Sequence, residues 1–247
     1  MVILLLLIFF TIVLFFRIIS RSNKVLKNKK KKTTYSSYAK TLGEISEKSV
    51  TKKTTCSSYA KVLGEIGEES VASILRTLPK DYVVFNDVYL EIKGKSTQID
   101  HVVISRYGVF IIETKNYTGW IFGNDTSEYW TQTIYEDKYK LRNPLRQNYS
   151  HLKTLQSIFG IEERFYFPIV AFHDRATLKC ETNGNVMYFS ELKDFILSKH
   201  IQRLSDELVN RLSAILMYYS VKNENQKQEH ILKVKQDIAN KESLVEK

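Results

Sequence analysis

The first sixteen residues, MVILLLLIFFTIVLFF, are apolar apart from Thr11; Arg17 interrupts the run, and Ile18 and Ile19 extend it. About 20 apolar residues suffice for a helix to span a bilayer, and an arginine near one end can reach the interface. No basic start or small-residue cleavage site marks a removable leader. The pattern therefore predicts one transmembrane helix over 1–20, with an uncleaved or cleaved export signal as the alternative. The next apolar periodicity comes much later, at Val71, Ile74, Leu75 and Leu78, the i, i+3, i+4, i+7 spacing of one helical face. After Pro79 the period shortens to two. Strands are predicted over 82–92, 97–105, 109–116 and 129–136, then at 165–172 and 185–189, each rich in β-branched or aromatic residues. Between them, 143–159 carries a proline in its first turn and apolar residues at Leu145, Tyr149, Leu152, Leu155 and Phe159, which predicts a helix. Helices follow near 190–198 and 204–219, with a charged, helical tail from 224. Strands flanked by helices argue for an α/β domain. The chain divides into an anchor (1–20), a basic juxtamembrane and spacer segment (21–53), a folded domain (54–175) and a C-terminal helical extension (176–247).

The spacer contains a duplication. TTYSSYAKTLGEISEKSV at 33–50 returns at 54–71 as TTCSSYAKVLGEIGEESV, with fourteen of eighteen positions identical. A solenoid needs at least three copies, so this is a tandem copy of one helix start. The second copy runs into the folded domain and the first serves as a spacer, with Ser46 where the second has Gly67.

Composition changes the picture mainly through charge. The net charge is +10, but residues 17–32 carry eight cations and no acid, leaving the rest near +2. Global charge is thus a weak argument for nucleic acid. A positive flank on the C-terminal side of the apolar run predicts a single-pass cell-membrane protein whose domain faces the cytoplasm. The lysine run also suits anionic headgroups, at about 1 kcal/mol per cation. Cys56 and Cys180 form no metal-ligand spacing and read as reduced thiols.

The chemistry concentrates in IDHVVISRYGVFIIETK. Asp100 lies on one strand and Glu113 and Lys115 on the next. Alternation puts Glu113 and Lys115 on one face, and the tight 106–108 connection makes the strands neighbours. Two carboxylates and an ammonium among apolar positions are costly unless paired or metal-bound. Hard oxygen ligands select Mg²⁺ or Mn²⁺, which suits phosphodiester hydrolysis. By spacing alone, an acid-x-lysine pair reads equally well as a structural ion pair.

The stretches GEIGEESVASIL, TQIDHVVISRYGVFIIETKNYTGWIFG and NPLRQNYSHLKTL, with Trp130, resemble the nuclease-related domain (NERD) family, over about residues 60–172. That family is itself similar to the PD-(D/E)xK nucleases, so the resemblance implies a restriction-endonuclease-like mixed sheet flanked by helices. It implies Asp100 and Glu113 as metal ligands, Lys115 as catalytic lysine, a first-helix glutamate best matched by Glu68 (with Glu65 and Glu69 as alternatives), and a helix glutamine matched by Gln147. Gln98, Asn116 and Arg146 join Gln147 as candidate nucleic-acid contacts. Lys138, Lys140, Arg142 and Arg146 form a basic cluster, which fits phosphate or a solvated surface alike, and Trp120 and Trp130 are substrate-side or packing residues. The leading expectation is a membrane-anchored, Mg²⁺- or Mn²⁺-dependent nuclease acting on DNA, with RNA as the other polymer. The alternative is a tethered module of the same fold that binds nucleic acid or protein without cutting. Self-association through the C-terminal helices is a further expectation.

Overall fold

The computed structural model describes residues 52–92 and 95–219, with side chains over 60–91 and 96–219. The expected transmembrane helix, the lysine run, the first repeat copy and the tail from 224 lie outside the described residues. Among those described, no helix is long and apolar enough to cross a membrane. The chain divides into two compact units, residues 1–62 and 63–247, and both sheets belong to the second.

The elements are α1 (Lys52–Leu75), β1 (Val83–Ile92), β2 (Lys95–Ser105), β3 (Gly108–Lys115), β4 (Gly119–Asn124), β5 (Tyr129–Ile134), β6 (Asp137–Arg142), α2 (Pro144–Phe159), β7 (Tyr166–Phe172), β8 (Ala176–Glu181), β9 (Asn185–Tyr188), α3 (Phe189–Ser198) and α4 (206–219). They build two mixed sheets flanked by helices. The first has strand order β1-β2-β3-β7-β9 and the second β6-β5-β4-β8. β1, β2 and β3 pair antiparallel, while β7 runs parallel to both β3 and β9.

β3 is covered on both faces, which is why it reads as a continuous apolar run rather than an alternation. Val109 and Ile111 pack with Leu152, Leu155 and Phe159 of α2 and Leu212 and Leu216 of α4. Phe110 and Ile112 face Val71 and Leu75 of α1 and Leu192 and Ile196 of α3. A third cluster joins the inner face of the second sheet (Ile121, Trp130) to Val170 and Phe172 of β7. Trp130 stacks on Phe172 with rings 4° from parallel and gives its indole N–H to the Asn124 carbonyl; it is a packing residue.

Two glycines set these positions. Gly108 turns β2 into β3 at φ 145°, where a Cβ would meet Phe167 at 2.7 Å. Gly67 lets α1 approach β3: a Cβ there would stand 2.6 Å from the Asn116 Cβ.

Three strands were not predicted. β4 is bracketed by Gly119 and Gly123, β6 is DKYKLR with only Leu141 turned toward the core, and β8 carries its polar residues outward.

Candidate active site

The site forms where β2 and β3 stop pairing. Their antiparallel register runs from Ser105↔Gly108 to His101↔Ile112 and ends there; the next pair would be Asp100 and Glu113. Instead the strands part, and Asp100 Oδ2 accepts the backbone N–H of Thr114 at 2.8 Å. The ladder to β1 is also interrupted at Asp100. It pairs Asn86↔His101 and resumes at Val88↔Ile99, and the intervening Asp87 adopts φ 54°, uncommon for a residue with a side chain. Asp100 is thus the point at which β2 loses both neighbours, a local departure of the kind that gathers at functional sites.

Glu113 is buried, and both its carboxylate oxygens are engaged. Lys115 Nζ donates to Oε1 at 2.6 Å, and His151 Nε2 lies 3.2 Å from Oε2. Lys115 also donates to Gln147 Oε1 at 3.3 Å. His151 Nδ1 sits 2.9 Å from Thr97 Oγ1. An ionised Glu113 can only accept, so Nε2 carries a proton, and in the neutral ring Nδ1 then accepts the threonine hydroxyl. A continuous chain of polar contacts therefore links Thr97 of β2, His151 and Gln147 of α2, and Glu113 and Lys115 of β3.

Electrostatics separate the two carboxyls. Burial, then the charge of Glu113, pushes Asp100 up to about 8 against the pull of the Thr114 N–H; Glu68 raises it further and Lys115 lowers it. Burial alone would raise Glu113 too, but the His151 and Lys115 contacts outweigh it and hold that carboxyl below its ordinary value. Burial would lower Lys115, yet the charge and hydrogen bond of Glu113 raise it. One ammonium therefore serves two close carboxylates, with Glu68 adding negative charge.

The residues expected from sequence fall into two groups. Asp100, Glu113, Lys115 and Gln147 come together, and Glu68 is near enough for its charge to act on Asp100. The other three have local partners. Gln98 donates to Asp87 Oδ1 at 2.7 Å, Arg146 to the Thr126 carbonyl at 2.7 Å, and Asn116 to the Leu63 carbonyl at 2.7 Å while accepting from Arg175 at 3.0 Å. His101 turns to the opposite face, bonded to Asn86 at 2.8 Å. His151 was missed, though it lies four residues beyond Gln147 and so on the same helical face.

Asp100 and Glu113 offer hard carboxylate oxygens with surplus negative charge, which suits a divalent cation. Among the described residues, no group of three or more His, Cys, Asp or Glu forms a ready cage. Mg²⁺ does not need one, since it keeps several waters and typically takes one or two carboxylates. The donor set fits.

Residues 63–173 match the model of the nuclease-related domain. An uncharacterized protein of Bacillus anthracis is 34% identical over 160 residues, covering 62% of this chain and 74% of that protein. The chain belongs to the nuclease-related domain family. No solved structure matches it. Membership in this family suggests a nuclease-like function, and the matched span holds Asp100, Glu113, Lys115, Gln147 and His151 together.

Proposed function

We propose that this nuclease-related domain hydrolyses phosphodiester bonds of DNA with Mg²⁺ or Mn²⁺, and that the N-terminal apolar run tethers it to the cell membrane on the cytoplasmic side. The first sheet and its helices serve as a restriction-endonuclease-like core, and because β9, α3 and α4 belong to it, that core runs past the expected boundary at 175 instead of giving way there to a purely helical extension. The observation that carries this reading is that Asp100 and Glu113 lie close enough for their charges to couple at the point where β2 parts from β3, with Lys115 bonded to Glu113.

Asp100 and Glu113 would hold the cation. The chemistry it supplies when bound is neutralisation of the scissile phosphate and a bound water of lowered pKa. Lys115, held between Glu113 and Gln147, presents an ammonium to phosphate oxygens as charge develops. His151 fixes the rotamer of Glu113 and keeps its second oxygen ionised. Glu68 adds negative charge beside Asp100, and Gln147 is placed to meet a phosphate or base edge.

A second reading has an observation of its own. Both oxygens of Glu113 are taken by Lys115 and His151, as a structural ion pair would have them, which favours a non-cleaving binding module. The full chain in detergent, incubated with supercoiled, linear and single-stranded DNA in Mg²⁺, Mn²⁺ or chelator, separates the two. Cutting that requires metal supports the nuclease. Binding without cutting on every substrate supports the module.

A further inference from the structure

The second sheet has one face turned into the core and one turned to solvent. On β4, Ile121 is buried while Trp120 and Phe122 are 55% and 39% exposed. On β5, Trp130 is buried while Tyr129 is 47% exposed. Register extends this outer face across the sheet: Trp120 pairs Thr133, which pairs Lys138; Phe122 pairs Thr131, which pairs Lys140; and Tyr129 pairs Arg142. On the other side, Lys179 of β8 pairs Phe122 and Glu181 pairs Asn124. Cross-strand partners share a face, so three exposed aromatics lie in the middle of the sheet, flanked by four cations and one acid.

Large aromatics on an exposed sheet face contribute nothing to the core beneath and mark a contact surface. The cations decide what it contacts. Lys140 stands 6.0 Å from the Tyr129 ring centroid, so charge and ring are interleaved rather than segregated. Trp120 and Phe122 meet edge to face at 74°, an arrangement that covers one face of one ring and not the faces of both. Aromatic rings with interspersed lysines are the chemistry of a single-stranded nucleic-acid platform, where bases stack on rings and phosphates lie on cations. A duplex hides its base faces. A second copy of this chain would bring the same four cations against themselves, and β6, with Lys138, Lys140 and Arg142, is an edge strand already guarded against strand pairing.

We propose that the outer face of β4, β5, β6 and β8 binds single-stranded DNA by stacking bases on Trp120, Phe122 and Tyr129. The inference deepens the nuclease reading and rests on it only for the choice of DNA. Trp120 is five residues beyond Lys115, at most about 18 Å of extended chain, so a strand held on this face is available to the candidate active site.

The test is fluorescence anisotropy of the full chain in detergent, in chelator, with one labelled sequence as single-stranded DNA, duplex DNA and RNA. Trp120→Ala and Phe122→Ala should each weaken single-stranded DNA binding about tenfold, with Trp120→Phe keeping most of the affinity. Lys140→Ala should flatten the dependence of log K on log salt by about 0.7. Tyr218→Ala, an exposed ring on α4, should change nothing. Unchanged affinity in both alanine variants would overturn the proposal, and so would tighter binding of duplex or RNA. A dimer in sedimentation that Trp120→Ala splits while DNA affinity stays constant would overturn it in favour of a second copy. Because binding is read without metal, a chain that never cuts DNA would defeat the catalytic reading and leave this result standing.

Discussion

Asp100→Asn should make the metal-free protein more stable, and only above mildly acidic pH. In the folded chain Asp100 is pushed from 3.8 to about 8, chiefly by burial and then by Glu113. Between those values the folded state holds a proton that the unfolded chain has released, so folding weakens as pH rises through that window. Below about pH 4 the carboxyl is protonated in both states and contributes nothing. At about 1.4 kcal/mol per pKa unit, the ceiling on the penalty at pH 8 and above is roughly 5–6 kcal/mol. Solvent entry and relaxation reduce it to a gain on the order of 1 kcal/mol. Asparagine retains an oxygen to accept the Thr114 N–H, so the gain is not cancelled by an orphaned backbone donor. Urea unfolding of wild type and variant in chelator at pH 5 and pH 8.5 measures the effect. The variant should show the higher midpoint at pH 8.5 and a much smaller advantage at pH 5. Mg²⁺ should then raise the wild-type midpoint and leave the variant's nearly unchanged. Equal or lower stability of Asp100→Asn at pH 8.5 would refute the claim that this carboxyl is held against its preference.

Other predictions rest on single contacts. His151→Ala frees one oxygen of Glu113 and should weaken Mn²⁺ affinity about 10- to 100-fold, read by calorimetry. His101, lowered to about 4 chiefly by burial, lends stability that is full above its unfolded pKa of about 6.5 and is lost as pH falls toward 4; His101→Gln should blunt that acid sensitivity in pH-dependent unfolding. Asn148 gives its amide to the carbonyls of both Ile111 and Ile169, so Asn148→Leu should cost about 1–3 kcal/mol in the same assay. Gly67→Ala drives a Cβ toward Asn116 and should cost about 1–3 kcal/mol.

The first sheet was legible because its strands are long, apolar and β-branched, and because both faces of β3 are covered. α2 declared itself through Pro144 and its apolar stripe, and Asn143 caps it by accepting the Leu145 N–H at 2.9 Å. The second sheet was hidden. β6 is an exposed edge with no apolar alternation, so its lysines read as a basic cluster rather than as one row of an ordered face. Asp100, Glu113 and Lys115 were placed together by alternation and a tight turn. The parting of β2 from both neighbours at Asp100 left no sequence signal, since register ends where side chains and backbone compete for the same donor. His151 needed the helix to be laid on the sheet before its partner Glu113 became visible. Gln98, Asn116 and Arg146 have the donors that nucleic acid would need, but spacing could not reveal that each has a partner within the fold.

The central claim is that chemistry occurs at Asp100, Glu113 and Lys115. It is tested most directly by comparing wild type, Asp100→Ala and Lys115→Ala, each as full chain, for DNA cutting in Mg²⁺ and DNA binding in chelator. Both variants should bind DNA like wild type, and neither should cut it. Cutting that persists in either variant, or that is lost only in step with DNA binding, would contradict it and leave the Glu113–Lys115 contact as a structural ion pair.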